Sequence, residues 1–234
     1  MEAMPRRARA IVGGVCYHLI NRGNNRSVVF HSDEDYAAFL DLLNAAQEHA
    51  RLSLFAICLM PNHFHVVARA VTESDISRWM HWLLTTHARH FQTKRDMLGR
   101  VWQGRFKAFP IEQDSHLLTV MRYVERNALR AGLADRAREW EWGSLAWRFG
   151  DSEHELLSPP PVALPSDWEE FVEAPQTAAE VEAIRTCVNR QRPYGSEPWV
   201  REAAPTLGLE FSLRPRGRPK KQVSSVPRSA GDDR

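Results

Sequence analysis

Hydrophobic and polar positions along the chain follow two periods in alternation. Val15 to Asn21 (VCYHLIN) is a strand-length apolar run, and the Gly and Asn content of Asn21 to Arg26 (NRGNNR) predicts a turn directly after it. From Asp33 the apolar positions Tyr36, Phe39, Leu40, Leu43 and Ala46 recur at helical spacing as far as about His49. Leu52 to Met60 (LSLFAICLM) and His63 to Ala70 (HFHVVARA) are two β-rich runs separated only by Pro61 and Asn62, which predicts a hairpin. A second amphipathic helix runs from Asp75 to about Arg95 through Ile76, Trp79, Met80, Leu83, Leu84, Ala88 and Phe91. Trp102 to Ile111 (WQGRFKAFPI) predicts a strand, and Ser115 to about Ala131 a third helix with Ser115 as its N-cap. The order β-α-β-β-α-β-α is that of an α+β, ferredoxin-like split βαβ fold, an antiparallel sheet with helices on one face, here followed by a C-terminal helix.

After Trp147 the pattern changes. Asp151 to Pro175 is acidic and contains Pro159, Pro160, Pro161 and Pro165, which no continuous helix or strand tolerates. Thr177 to Arg190 and Glu197 to Leu207 regain helical spacing before a basic end broken by Pro and Gly. The expected division is therefore a main domain over 1–150, an acidic, Pro-rich linker or arm over 151–176, a small helical extension over 177–213 and a basic, disordered tail over 214–234. With 234 residues, 43% of them hydrophobic, the chain has material for one sizeable core.

Charge adds a second layer to this division, because the net +2 is unevenly spread. Residues 1–150 carry 20 Lys+Arg against 15 Asp+Glu, residues 151–182 carry none against 9, and residues 183–221 carry 9 against 3. Two basic segments flanking an acidic one suit a polyanionic partner as well as an ordinary solvated surface. Cys16, Cys58 and Cys187 show neither disulfide nor metal spacing, and no apolar run approaches a membrane span of about 20 residues. The expectation is a chain with no membrane contact, localised in the cytoplasm and there associated with the nucleoid.

The chemistry centres on a few side chains. His63 and His65 stand at i and i+2 of a strand, so both imidazoles project to one face and Phe64 to the other. Such a pair can hold a metal, although surface or hydrogen-bonded histidines give the same pattern. Tyr123 and Asn127 lie four residues apart on one face of the third helix. Asn127 could complete a metal site with Tyr123 beside it, or Tyr123 could be a core residue among Leu117, Val120, Val124 and Leu129.

The strings YHLINRGNNRSVVF, MPNHFHVV, VWQGRFKAF and RYVERNALRAGL, in this order and spacing, resemble the single-tyrosine HUH transposases, specifically the REP-associated tyrosine transposases of bacteria, over roughly residues 5 to 150. The resemblance implies that His63, His65 and Asn127 hold a divalent metal, Mg²⁺ or Mn²⁺, and that Tyr123 attacks a DNA phosphodiester to leave a 5′-phosphotyrosine and a 3′-hydroxyl. The bond energy is kept, and the chain has no P-loop signature, so no nucleotide cofactor is expected. The implied partner is single-stranded or hairpin DNA, bound by a monomer or homodimer. One departure is that Asn127 is followed by Ala128 where the family commonly has proline, so the helix is free to run on. A metal-dependent nuclease without a covalent step and a non-catalytic DNA-binding derivative stay open as alternatives.

Three segments are candidates for DNA contact. Asn21, Arg22, Asn24, Asn25 and Arg26 offer amides and cations on the first turn, and Trp102, Arg105 and Lys107 interleave an aromatic with cations. In the tail, RPRGRPKK has the Arg-Gly-Arg core of an AT-hook, with Arg216 and Arg218 suited to a narrow minor groove. If the tail binds DNA, truncation after Leu213 lowers affinity and flattens the salt dependence by two to four phosphate contacts, at about 0.9 log unit per contact on duplex. If the acidic arm instead pairs with the tail, the truncated protein acts better on dilute substrate. Affinities at two salt concentrations separate the two, and identical slopes and affinities for both proteins would eliminate both.

Overall fold

The computed structural model describes residues 11–150 and 155–214; Arg216 and Arg218 of the tail lie outside the described residues. Four strands, β1 (Cys16–Arg22), β2 (Leu52–Met60), β3 (His63–Ala70) and β4 (Lys107–Ile111), form one antiparallel sheet in the order β2-β3-β1-β4. Between them run α1 (Asp33–His49) and α2 (Asp75–Arg95). This is the expected split βαβ sheet, with its hairpin and two crossover helices at the predicted places.

Both faces of the sheet are buried, and the two-residue alternation of the strands sorts side chains between two cores. Tyr17, Leu19, Phe64, Val66 and Ala68 face α1 and α2, meeting Phe39, Leu43, Trp79 and Leu83. Cys16, Val67, Phe109 and Ile111 face the opposite way, towards α3 (Ser115–Glu125), which supplies Leu117, Val120, Met121, Tyr123 and Val124. In β2 the strict alternation would put Leu54 and Ile57 on opposite faces. A register shift between Leu54 and Ala56 inserts Phe55 as an extra residue, so that Leu54, Ile57 and Leu59 all reach the α1/α2 core.

Three local expectations are corrected. The last strand starts at Lys107 rather than Trp102: Trp102 only bridges Gly23, and the chain turns at Gly104 with φ +65°. The third helix is capped by the Asp114 side chain, which accepts from His116 N, and not by Ser115. It also does not run through to Ala131. Arg126 (φ −84°, ψ 2°) separates it from α4 (Asn127–Arg130) without any proline, at a point where Glu125 and Asn127 are both held by hydrogen bonds below the surface. Of the three tryptophans that follow, Trp142 and Trp147 lie on the α1 side and Trp140 touches both cores. Trp142 stacks on Tyr36 with ring centroids 4.9 Å apart, Trp140 Nε1 donates to Leu59 O, and Trp147 packs against the α1/α2 core.

The segments after residue 140 close the sheet edges. Leu59 N donates to Trp142 O and Ser158 N to Leu54 O along β2; Tyr194 N donates to Pro110 O and Glu112 N to Tyr194 O beside β4. The acidic arm is packed where α6 (Trp168–Glu173) buries Trp168 and Val172, and the helical extension opens with α7 (Ala178–Arg190), which starts at a capping box of Thr177 and Glu180 and buries Ile184 and Cys187. All three cysteines are free and buried. Among the described residues no helix is long and apolar enough to cross a membrane.

Glu125 ties these parts together. Its buried carboxylate accepts from Ser144 Oγ at 2.6 Å and Arg148 Nε at 2.9 Å, both on α5 (Ser144–Arg148), and from Trp168 Nε1 at 2.7 Å. Arg148 also donates to Phe55 O, the carbonyl of the extra residue in β2. Removing the carboxylate strands a mostly buried guanidinium and two donors, so Glu125→Ala is expected to cost about 3–5 kcal/mol in denaturant unfolding. A loss below about 1 kcal/mol would mean that the network contributes nothing net.

Candidate active site

The register of the central strands builds the site. Ile20 stands opposite His65, and Arg22 opposite His63, across β1 and β3; Ile20 also stands opposite Lys107 of β4. His63, His65, His18 and Lys107 therefore share the α3 side of the sheet, near the end where β1 finishes and β3 and β4 begin. The His63 and His65 rings lie 4.9 Å apart at 77°. His65 is 3% exposed, and burial of this kind leaves an imidazole needing a polar partner.

That partner is His18, which sequence reasoning missed. His18 is fully buried; its Nε2 is 2.8 Å from His65 Nδ1 and its ring stacks on His65 at 20°. His63 Nδ1 is likewise engaged, 2.7 Å from Asn62 Oδ1 in the hairpin turn. Burial pushes His18 down to about 3 and His63 to about 4, with a neighbouring imidazole or the Arg22 and Arg130 cations adding to it. The same causes hold His65 well below the ordinary histidine value. All three rings are thus neutral at physiological pH, the state in which an imidazole offers a lone pair. The available signal for His18 was its position: it alternates with Cys16 and Ile20 on the inward face of an apolar strand.

Tyr123 projects from α3 onto this group, its ring 6.0 Å from His65 and 6.4 Å from His18, edge-on to both. It is both a core residue and a neighbour of the imidazoles, so the two readings of its position coincide. Arg130, also missed, holds the other side of the ring. Its guanidinium lies 4.0 Å over the Tyr123 centroid and donates to Asn127 Oδ1 at 2.9 Å. Arg130 stands three residues after Asn127 and seven after Tyr123, the spacing of one helix face. Asn127 is 7% exposed, and its Nδ2 has no partner among the described residues. Its carbonyl oxygen is turned to Arg130.

The fit to a divalent ion follows from these contacts. Engaging Nδ1 of both His63 and His65 leaves Nε2 of each as the free donor, and two neutral imidazoles suit such an ion. Asn127 can join them only by giving up its bond from Arg130. A second cluster, Glu112, Asp114 and His116, also brings donor atoms within 4.8 Å of one another. Two of its members already serve the fold, because Glu112 Oε2 accepts from Ser196 N and Asp114 caps α3.

The candidate DNA-contact residues divide by burial. Asn21 is 4% exposed, and Trp102 is enclosed against Phe64, Phe39 and His87, so both belong to the framework. Arg22 is half-buried beside His63, and Asn24 is half-buried, while Asn25, Arg26, Arg105 and Lys107 face solvent. Gly23 permits this loop, because a Cβ there would meet Ser27 O at 2.1 Å. None of these cations makes an ion pair among the described residues, whereas Lys94, Arg95, Arg136, Arg138 and Arg148 are all paired. The surface around the site thus keeps its positive charge free.

A family model described as "Transposase IS200 like" matches residues 11–127, which contain His18, His63, His65, Tyr123 and Asn127. No curated protein matches. A solved structure described as a REP-associated tyrosine transposase bound to a REP hairpin shares the fold at 17% identity and a TM-score of 0.50, covering 75% of this chain and 99% of that one. A crystal structure described as a candidate transposase from Deinococcus radiodurans R1 is 21% identical over 52% of this chain and 96% of its own, with a TM-score of 0.37.

Proposed function

The chain belongs to the IS200-like transposase family, and from that premise we propose that it cleaves and rejoins single-stranded DNA through a covalent bond to Tyr123, next to a divalent ion held by His63 and His65. The observation that carries this reading is the meeting of a tyrosine ring with the neutral, buried imidazole of His65, itself 4.9 Å from the neutral ring of His63, under an arginine. The proposed substrate is hairpin-forming repetitive DNA, in keeping with the hairpin named for the structurally similar transposase.

In this reading Tyr123 Oη forms the new P–O bond and the bond from phosphorus to the 3′ oxygen breaks, leaving a 5′-phosphotyrosine and a 3′-hydroxyl. The phenol proton goes to solvent and the leaving oxygen takes one up, so no co-reactant is consumed. A bound Mg²⁺ or Mn²⁺ supplies Lewis-acid stabilisation of negative charge on the phosphate oxygens. Arg130, over the tyrosine ring, supplies the cation that an unactivated phenol lacks as a nucleophile. His18 is a positioning residue: its Nε2, accepting a hydrogen bond from His65 Nδ1–H, fixes the tautomer in which His65 Nε2 carries the lone pair. Arg22, Lys107 and Arg105 hold the strand by its phosphates. Asn127, whose Oδ1 accepts from Arg130, would be the third donor to that ion.

Incubation with hairpin DNA and Mn²⁺, read on a denaturing gel, is expected to give a covalent adduct that Tyr123→Phe abolishes while DNA binding persists. Normal cleavage by that variant would favour a hydrolytic nuclease. His63→Ala and His65→Ala are expected to lose most Mn²⁺ affinity in calorimetry, and His18→Phe about 10- to 100-fold of it. Unchanged Mn²⁺ binding in the His63 and His65 variants removes the proposed centre, and in the His18 variant removes only its positioning role.

A further inference from the structure

A cavity of about 680 Å³ opens on the other side of the NRGNNR loop, between that loop and the C-terminal end of α2. Its lining joins three kinds of group. Phe91, Met97 and Leu98 give it an apolar wall; Leu98 is fully exposed and Met97 53% exposed, and adjacent exposed apolar side chains at a cavity are one mark of a binding surface. Asn24 and Asn25 present side-chain amides that no hydrogen bond engages among the described residues, and Arg100 adds a cation with no ion-pair partner there.

The loop backbone is held open at some cost. Asn25 and Arg26 are consecutive non-glycine residues at φ +53° and +62°, a left-handed conformation that surrounding contacts must impose. Asn24 N donates to Val101 O at 2.8 Å and Asn62 Nδ2 to Arg26 O at 3.0 Å, so the strained turn is pinned from both sides. Asn62 is also the partner of His63 Nδ1, which joins this loop to the imidazole cluster by one side chain.

We infer that this cavity takes unpaired nucleobases of the bound strand, a few nucleotides from the bond placed at Tyr123. The inference rests on the single-stranded DNA reading given above. An apolar wall with an aromatic ring receives the flat face of a base, whichever base it is. A planar amide pairs with a base edge through two hydrogen bonds, adenine being the best match for asparagine. Arg100 and Arg26 meet the phosphates on either side. An apolar peptide or a second copy of this chain would use the wall but leave two free amides and the Arg100 cation unsatisfied, which is why a nucleic acid strand fits better.

The test uses the full chain and a hairpin oligonucleotide with a single-stranded flank, carrying 2-aminopurine or an abasic site at successive flank positions. At one or two positions the wild type should quench or shift the 2-aminopurine emission, and an abasic site there should weaken binding about tenfold. Leu98→Asp, at a fully exposed position that does not threaten folding, should weaken binding by a similar factor and abolish the emission change. It should also make the abasic site harmless, and Asn24→Ala should reduce the preference among bases at the same position. If wild-type protein binds the flank yet Leu98→Asp and every abasic site leave affinity unchanged, the pocket assignment falls and the DNA reading stands. If Leu98→Asp alters only the sedimentation of the protein, the wall is a contact between copies and the inference is overturned. Absence of any binding to the oligonucleotide by the wild type overturns the DNA reading along with it.

Discussion

The burial of β3 on both faces is the constraint from which the site follows. A central strand between two cores must send every second side chain into each, and in His63 to Ala70 one of those series begins with two histidines. An imidazole inside an apolar layer is favoured as a neutral ring with at least one nitrogen engaged. The fold meets that demand by placing His18 across β1 and Asn62 in the adjacent turn. The contacts that give His65 Nδ1 and His63 Nδ1 their partners therefore also fix the tautomers of both rings. Lining the sheet with α3 brings the tyrosine ring to that point as part of ordinary core packing.

Much of this was legible from residue spacing, and the exceptions are instructive. The hairpin, the two crossover helices and the sheet class follow from local periodicity, which needs nothing from the rest of the chain. His65 was visible because its pairing with His63 is two residues long. His18 was not, because its partner is 47 residues away and its alternation with Cys16 and Ile20 marks it as inward-facing without naming what it meets. Arg130 shows a case where the spacing was available, but its value depends on knowing that Tyr123 and Asn127 face inwards. The break at Arg126 has no sequence signal: it reflects two neighbouring residues each committed to buried contacts with distant segments.

The charge pattern gains meaning only in three dimensions. The acidic segment pairs with cations of the main body, as Arg136 and Arg138 do with Glu169 on α6. The cations around the imidazole cluster are left without such partners among the described residues, so a modest net charge resolves into a neutralised flank and a positive surface beside the cluster. Even the buried Glu125 follows this division, holding Arg148 on the arm side while Arg130 is directed to Tyr123.

The outer strands carry a consequence for self-association. Exposed strand edges are templates for further strands, whether from a second copy or from an aggregate. Here β2 spends its outward backbone groups at Leu54 and Leu59 on residues 158 and 142, and β4 meets Tyr194 at Pro110. A neighbour seeking to prolong the sheet would first have to peel away the chain's own C-terminal segments. The same stretch of sequence that shores up the tyrosine helix therefore also acts as a stopper against strand-on-strand polymerisation, and steers any assembly towards helical surfaces or a shared strand of nucleic acid.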